Sequence, residues 1–344
     1  MGARGWHRRE ASTRDVSYGY IPDGENAHAS TGPCVVVDPG APAKLAIKPV
    51  ELRDPDRDEV AVRVSAISLN RGETRRALQQ AEPGWRPGWD FVGVTETAAE
   101  DGSGPKPGTR VVGILPSGAW AEQVNCRTHA VAALPDAVGD AEAATLPVAG
   151  LTALHALRQG GLLLGRTVLV DGASGGVGHL ACQLATAAGA QVWGSVRREE
   201  HRAAVAEWCS GGVVIGRGLA AAKPHGPFWL ILDSLGGSAL AAALSMLQPG
   251  GTCVTFGVSE AAQTTFESRD FFGTGGARLY GLTLFHELMS VERAGIGLAL
   301  LADLIAAKKL RPQIAVEARW GEIGTVARRL IDREFTGKAV LHVP

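Results

Sequence analysis

Between residues 34 and 131 apolar and polar positions alternate in short runs, CVVV, EVAVRVSAI, DFVGVTET, TRVVGIL and AEQV, separated by turns such as Asp54-Pro55 and Lys106-Pro107-Gly108. Runs of this kind, punctuated by Pro and Gly, predict short strands, and their close spacing suggests a small barrel or sandwich. After Asp140 the pattern changes. An Ala- and Leu-rich stretch, AEAATLPVAGLTALHALRQGG, reads as a helix; a buried-type strand over 167–170, a Gly-rich loop, a helix over 179–188 and a second strand over 191–196 follow it. Strand, helix and parallel strand in that order make a βαβ crossover, repeated as FWLILDS, a helix over 238–247, TCVTFGV, and later ARLYGLTLF. The prediction is a doubly wound α/β sheet preceded by an all-β unit. The tail from residue 311 holds an amphipathic helix and a last strand, KAVLHV, whose partner the pattern leaves open. Residues 1–31 lack periodicity and are expected to be a disordered extension that does not carry the fold.

Length agrees with two cores, since 344 residues exceed the ~100–200 usual for one domain. A formal net charge of -1 provides no general field for nucleic acid or an anionic membrane, so a small molecule is the expected partner. The five cysteines, Cys34, Cys126, Cys182, Cys209 and Cys253, are scattered and form no C-x-x-C pair, which argues against a disulfide framework and a Cys-rich zinc site. No apolar stretch reaches the ~18 residues of a membrane span, and the start of the chain lacks the apolar core of a secretion signal. A cytoplasmic protein is the expectation.

The chemistry begins at Ala173-Ser174-Gly175-Gly176-Val177-Gly178, a variant of G-x-G-x-x-G with Ala in the first slot, set between a strand and a helix. Gly175 lets the backbone approach a pyrophosphate, Gly178 lets the helix close on the strand, and free N–H groups at the helix start face the anion. A structural glycine turn is the bland alternative. About 20 residues further on, an acid normally holds an unphosphorylated ribose. Here the segment reads Gly194-Ser195-Val196-Arg197-Arg198, with no carboxylate before Glu199. Ser195, Arg197 and Arg198 suit the 2′-phosphate of NADPH, because guanidinium offers phosphate a fixed fork of donors. The other reading makes both arginines a solvated turn paired with Glu199 and Glu200.

With these features in place, the chain resembles the medium-chain dehydrogenase/reductase superfamily, in its zinc-independent quinone-oxidoreductase-like branch. The resemblance rests on VAVRVSAISLN (60–70), PGWDFVG (87–93), GAWAE (118–122), LPVAGLTA (146–153), the Gly loop, DSLGG (233–237), PGG (249–251) and GKAVL (337–341). It implies a GroES-like β-barrel substrate domain over 32–143, a Rossmann domain over 144–285, a segment over 286–344 that returns to the substrate domain, and a nicotinamide cleft between the two. It also implies cofactor contacts by Thr152, Leu235, Phe256, Gly257 and Val258 beside those of Ala173 to Val177. Where zinc-bearing members carry their first ligand Cys and the His of Gly-His-Glu, this chain has Asn70 and Trp89, neither suited to zinc; metal-free hydride transfer is the expectation.

Asn70 is then the candidate catalytic residue, positioning substrate or nicotinamide, and reads equally as a cap at a strand end. Many relatives carry a Tyr shortly after this Asn, whereas this segment reads Asn70-Arg71-Gly72-Glu73-Thr74-Arg75-Arg76, so no general acid is assigned. Trp85 and Trp89 are candidates for an aromatic wall at the substrate, and Arg75 for contact with an acidic or thioester substrate; barrel packing and a solvated helix face are the alternatives. The leading expectation is NADPH-dependent reduction of a quinone or an activated C=C. A tailoring enoyl reductase for a polyketide-like substrate and an NADPH-binding protein without turnover compete with it. A homodimer is expected, because ARLYGLTLF reads as a long apolar strand unsuited to an open edge.

Overall fold

The computed structural model describes residues 30–344. The extension expected over 1–31 lies outside the described residues except Ser30 and Thr31, which already pair with Leu52 and Glu51. β1 (Ser30–Val37) and β2 (Leu45–Leu52) form an antiparallel ribbon. β3 (Glu59–Leu69), β4 (Asp90–Thr97), β5 (Arg110–Ile114), β6 (Gln123–Arg127) and β7 (Val131–Ala133) build the first large sheet. β8 (Thr167–Asp171), β9 (Gln191–Val196), β10 (Gly212–Ile215), β11 (Phe228–Asp233), β12 (Leu247–Thr255) and β13 (Arg278–Gly281) build the second, wholly parallel and ordered β10-β9-β8-β11-β12-β13. The tail supplies β14 (Ile314–Arg319) and β15 (Lys338–His342), which complete the first sheet as β14-β15-β3-β4-β5-β7, with β6 also on β3. The fold is thus a GroES-like domain and a Rossmann-like parallel sheet.

Three predicted elements differ from what forms, and a fourth finds the partner its pattern left open. The stretch 141–161 is not one helix: a short helix Asp140–Ala144, a wide π-type turn Leu146–Gly150 and a helix Leu151–Arg158 succeed one another. Pro147, with no N–H to donate, accounts for the break. ARLYGLTLF is not one long strand. β13 pairs only with β12, and the chain then enters the helix Leu284–Ser290, which buries Leu284, Glu287 and Leu288 at helical spacing. The predicted helix 238–247 ends at Leu244, and Leu247 already belongs to β12. KAVLHV finds its place between β14 and β3, antiparallel to β3, so the end of the chain lies in the domain begun by its start.

One apolar cluster joins the two domains. It runs from Val92 and Ile114 of the first sheet through Leu146 and Leu151 to Val168, Val170 and Leu232 of the second. At the junction between β8 and the following helix, Gly178 has no room for a side chain: a Cβ there would stand 2.2 Å from the Gly172 carbonyl oxygen and 2.8 Å from Ala173 Cα. Gly178→Ala must therefore push helix from strand and is expected to cost roughly 1–3 kcal/mol. Thermal melting should show a clear loss, whereas Gly281→Ala, with open space around its Cβ position, should melt as the parent does; equal melting of the two variants would contradict this packing account.

Candidate functional site

The Gly loop leaves β8 through Gly172, held at φ 67°, and closes a tight turn in which the Gly175 amide donates to the Gly172 carbonyl at 2.8 Å. Ala173 and Ser174 are buried, whereas Gly175, Gly176 and Val177 are partly open. The Ser174 and Val177 amides donate to no group among the described residues, the condition for an anion cradle at a helix start. The loop is gripped from the other domain. Gly337 donates to the Ser174 carbonyl at 3.0 Å, directly before β15. His179 donates through Nδ1 to the Gly175 carbonyl (2.8 Å) and accepts through Nε2 from the Gln313 amide (2.9 Å). Those bonds require the neutral ring, and burial pushes its pKa down to about 4.

Ser195 is buried next to the last residue of β9, Val196, and Arg197 and Arg198 follow. The two arginines part company. Arg198 is exposed and ion-paired with Glu200 at 2.9 Å, while Arg197 makes no ion pair among the described residues. The charges felt by Arg197 are chiefly those of Arg333, Arg198 and Arg217. Arg71 is drawn down to about 10 by burial and then by Arg333, Arg75 and Arg197. Its Nη1 donates to the Leu330 carbonyl at 2.7 Å, but its Nε is buried without a partner. Arg333, at φ 61°, donates to the Ser259 carbonyl. Arg75, Arg197 and Arg333 thus act on Arg71, and Arg333 on Arg197, so guanidinium groups from three distant segments come together with none of the four in an ion pair among the described residues. Arg333 escaped the sequence reading, since nothing local distinguishes it from other basic residues of the tail.

Across the strand ends, Leu235 donates to Asp233 Oδ1 (3.2 Å) and Phe256 to the Asp233 carbonyl (3.0 Å). Gly257 lies against Ser234, whose carbonyl oxygen would be 2.8 Å from a Cβ, and Val258 is half exposed. Leu235, Phe256, Gly257 and Val258 therefore all stand at the C-terminal edge of the parallel sheet, the usual ligand crevice of such folds. Thr152 is buried on the helix Leu151–Arg158.

Asn70 stands at the head of the helix Arg71–Gln79 in a buried polar network. Its Oδ1 accepts from Lys338 Nζ at 2.6 Å, and its Nδ2 donates to Asp90 Oδ2 (2.8 Å) and Glu73 Oε1 (3.0 Å). Both amide hydrogens are engaged, so Asn70 offers a ligand at most a lone pair of Oδ1. Lys338, 2% exposed, also donates to the Leu69 carbonyl (3.2 Å) and Asp90 Oδ2 (3.4 Å). Asp90 further accepts from Ser68 Oγ and the Val148 amide. Burial, and next to it the charge of Asp90, push the Glu73 carboxyl well above the usual carboxylate range. GKAVL contributed to the family pattern, yet nothing in it marked Lys338 as a partner of Asn70.

The chain matches the family model described as alcohol dehydrogenase GroES-like domain over residues 56–136 and that described as zinc-binding dehydrogenase over 176–294. A mycocerosic acid synthase-like polyketide synthase of Mycobacterium tuberculosis is 30% identical over 335 residues, which cover 92% of this chain and 16% of that protein. The chain thus spans only a small part of that synthase. Its fold matches the quinone oxidoreductase of Coxiella burnetii with a TM-score of 0.76 and 23% identity, covering 92% of this chain and 100% of that one. The CurK enoyl reductase matches with a TM-score of 0.77 and 22% identity over 91% and 99% of the two chains. The chain belongs to the medium-chain dehydrogenase/reductase superfamily.

In this member no three His, Cys, Asp or Glu side chains are grouped as metal ligands among the described residues. No described helix is long and apolar enough to cross a membrane. Trp89 packs edge-on to Phe285 (5.8 Å between centroids), beside Gly72, in the cluster shared by the domains. Trp85 packs against the barrel core under the Arg76 guanidinium, 4.7 Å from the ring centroid. The two tryptophans expected to form one aromatic wall pack against different apolar clusters, Trp89 with Phe285 against the one shared by the domains and Trp85 against the barrel core. Phe285 was hidden by the strand predicted through it.

The neutral His179 gives the loop a pH signature. Because its folded pKa is depressed from 6.5 to about 4, the unfolded chain takes up the proton first as pH falls, and stability present above pH 6.5 is lost toward pH 4. The loss attributable to this ring is up to roughly 3 kcal/mol. Denaturant unfolding at a series of pH values should show this slope in the parent and a shallower one in His179→Gln; parallel pH profiles would show that the ring does not titrate as described.

Proposed function

We propose that this protein is a zinc-independent, NADPH-dependent reductase that delivers hydride to a quinone or to an activated C=C of an enone or enal. The observation that carries the reading is the group of guanidinium groups, in no ion pair among the described residues, beside a glycine loop with open amides. The residues fit the cofactor. Ser174 and Val177 would receive the pyrophosphate on their amides, and Arg197, with Arg333 and Arg71 nearby, would meet the 2′-phosphate. Leu235 and Phe256 to Val258 would line the crevice, with Thr152 toward the nicotinamide side. The bound cofactor supplies the hydride. Trp89 and Phe285 provide an apolar face for a flat acceptor, and Asn70 acts as a positioning group whose carboxamide is fixed by Lys338, Asp90 and Glu73. A cytoplasmic homodimer joined along β13, the exposed edge of the parallel sheet, belongs to the same reading.

A tailoring enoyl reductase for an acyl thioester is the second reading, supported by Arg75 within the cationic group and by the likeness to a polyketide synthase. NADPH oxidation with a panel of quinones, enals, enones and enoyl thioesters separates the two. Binding without oxidation across that panel would instead support a nucleotide-binding protein without turnover.

NADPH is expected to bind more tightly than NADH. A charge-assisted hydrogen bond contributes roughly 1.5–3 kcal/mol, so Arg197→Ala should weaken NADPH binding by roughly ten- to a hundredfold and leave NADH nearly unchanged. Equal losses for both cofactors would make Arg197 part of a solvated turn. Activity should also survive a strong chelator, with far less than one zinc per chain by metal analysis; one tightly held zinc per chain would contradict metal-free reduction.

A further inference from the structure

At the C-terminal ends of the four central strands of the parallel sheet, polar side chains replace the apolar ones in a single row. Asp171 pairs in register with Ser195 across β8 and β9, and Asp233 pairs with Thr255 across β11 and β12. β11 and β8 run in register from Leu230 with Val168 to Leu232 with Val170, so their next residues, Asp233 and Asp171, are neighbours as well. The row Ser195, Asp171, Asp233, Thr255 thus crosses the sheet directly under the crevice. All four point to the sheet face that carries Leu169, Ile231 and Cys253.

The two acids of this row are treated very differently. Asp233 has its oxygens occupied: Oδ1 accepts from the Leu235 and Gly236 amides, and Oδ2 from Thr255 Oγ1 at 2.8 Å. Asp171 is 3% exposed, and its Oδ2 is buried with no partner. An orphan oxygen of this kind, at the strand end that opens into the phosphate loop and opposite the serine expected at the 2′ position, points toward a ligand.

We propose that Asp171 is a cofactor-selecting residue, whose charge state sets the preference of the crevice between NADPH and NADH. The inference rests on the NADPH reading above and assigns a carboxylate where the local sequence after β9 shows none: it arrives from the neighbouring strand. Neutral, Asp171 has a proton to donate and leaves the field of Arg197 and Arg333 unopposed; ionised, it adds a negative charge beside the bound phosphate. Burial, and then the charges of Asp233 on β11 and Glu260 in the loop after β12, raise it to about 8, against the Gly172 amide and the Ser195 hydroxyl, which lower it. Cys253 on β12, the remaining titratable neighbour, has its thiol pushed up by burial and by both aspartates.

Dissociation constants for NADPH and NADH between pH 7 and 9 test this, a range that spans the value of about 8 for Asp171 and lies above the phosphate's own titration near ~6. The ratio favouring NADPH is expected to fall by about five- to tenfold across that range in the parent. In Asp171→Asn, which keeps the shape but cannot ionise, the ratio should stay level at the parent's low-pH value. Asp171→Ser provides the same readout should the amide variant fold poorly. A ratio that does not change with pH in the parent, or that changes equally in the variants, overturns the role of Asp171. Absence of any NADPH preference at pH 7 overturns instead the phosphate reading itself, so the two failures are distinguishable.

Discussion

The buried contact between Lys338 and Asp90 is the constraint on which the arrangement of this protein turns. An ammonium and a carboxylate, both almost without solvent, are tolerable together only when each finds hydrogen-bonding partners, and removal of one would strand the other at a cost of several kcal/mol. Lys338 finds the Leu69 carbonyl and Asn70, and Asp90 finds Ser68, Asn70 and Val148. Asp90 opens β4, Asn70 follows β3, Val148 sits in the π-type turn leading to the second domain, and Lys338 opens the final strand. One charge pair therefore ties together four parts of the chain, three of them already neighbours in the first sheet.

The same strand that brings Lys338 also brings Gly337 against Ser174 in the phosphate loop. The loop's conformation and the position of Asn70 thus depend on one insertion, β15 between β14 and β3. His179 and Gln183 reinforce it from the Rossmann side, through Gln313 and Arg311. The glycine loop and the Asn70 network are thus held as a unit by the tail.

Electrostatics divide the crevice. On one side stand Arg71, Arg75, Arg197 and Arg333; beneath the other lie Asp171 and Asp233 at the strand ends. Burial raises both carboxyls above their ordinary value.

What the sequence by itself determined was local. Alternation and apolar runs located the β-rich first domain and the βαβ repeats, because period and burial are written in consecutive residues; the loop at Ala173 to Gly178 was legible because glycine spacing reflects backbone sterics at that spot, as the crowded Gly178 shows. The strand expected over 277–285 ran past β13 into the first two residues of the helix Leu284–Ser290, since a short apolar run does not declare its period. Only the tertiary structure decided that Lys338 meets Asn70, that Arg333 joins Arg197 and Arg71, and that Asp171 stands opposite Ser195. Those pairings join residues from 24 to 268 positions apart, and their energies come from burial and partnership, which no stretch of chain possesses until the strands have taken their places.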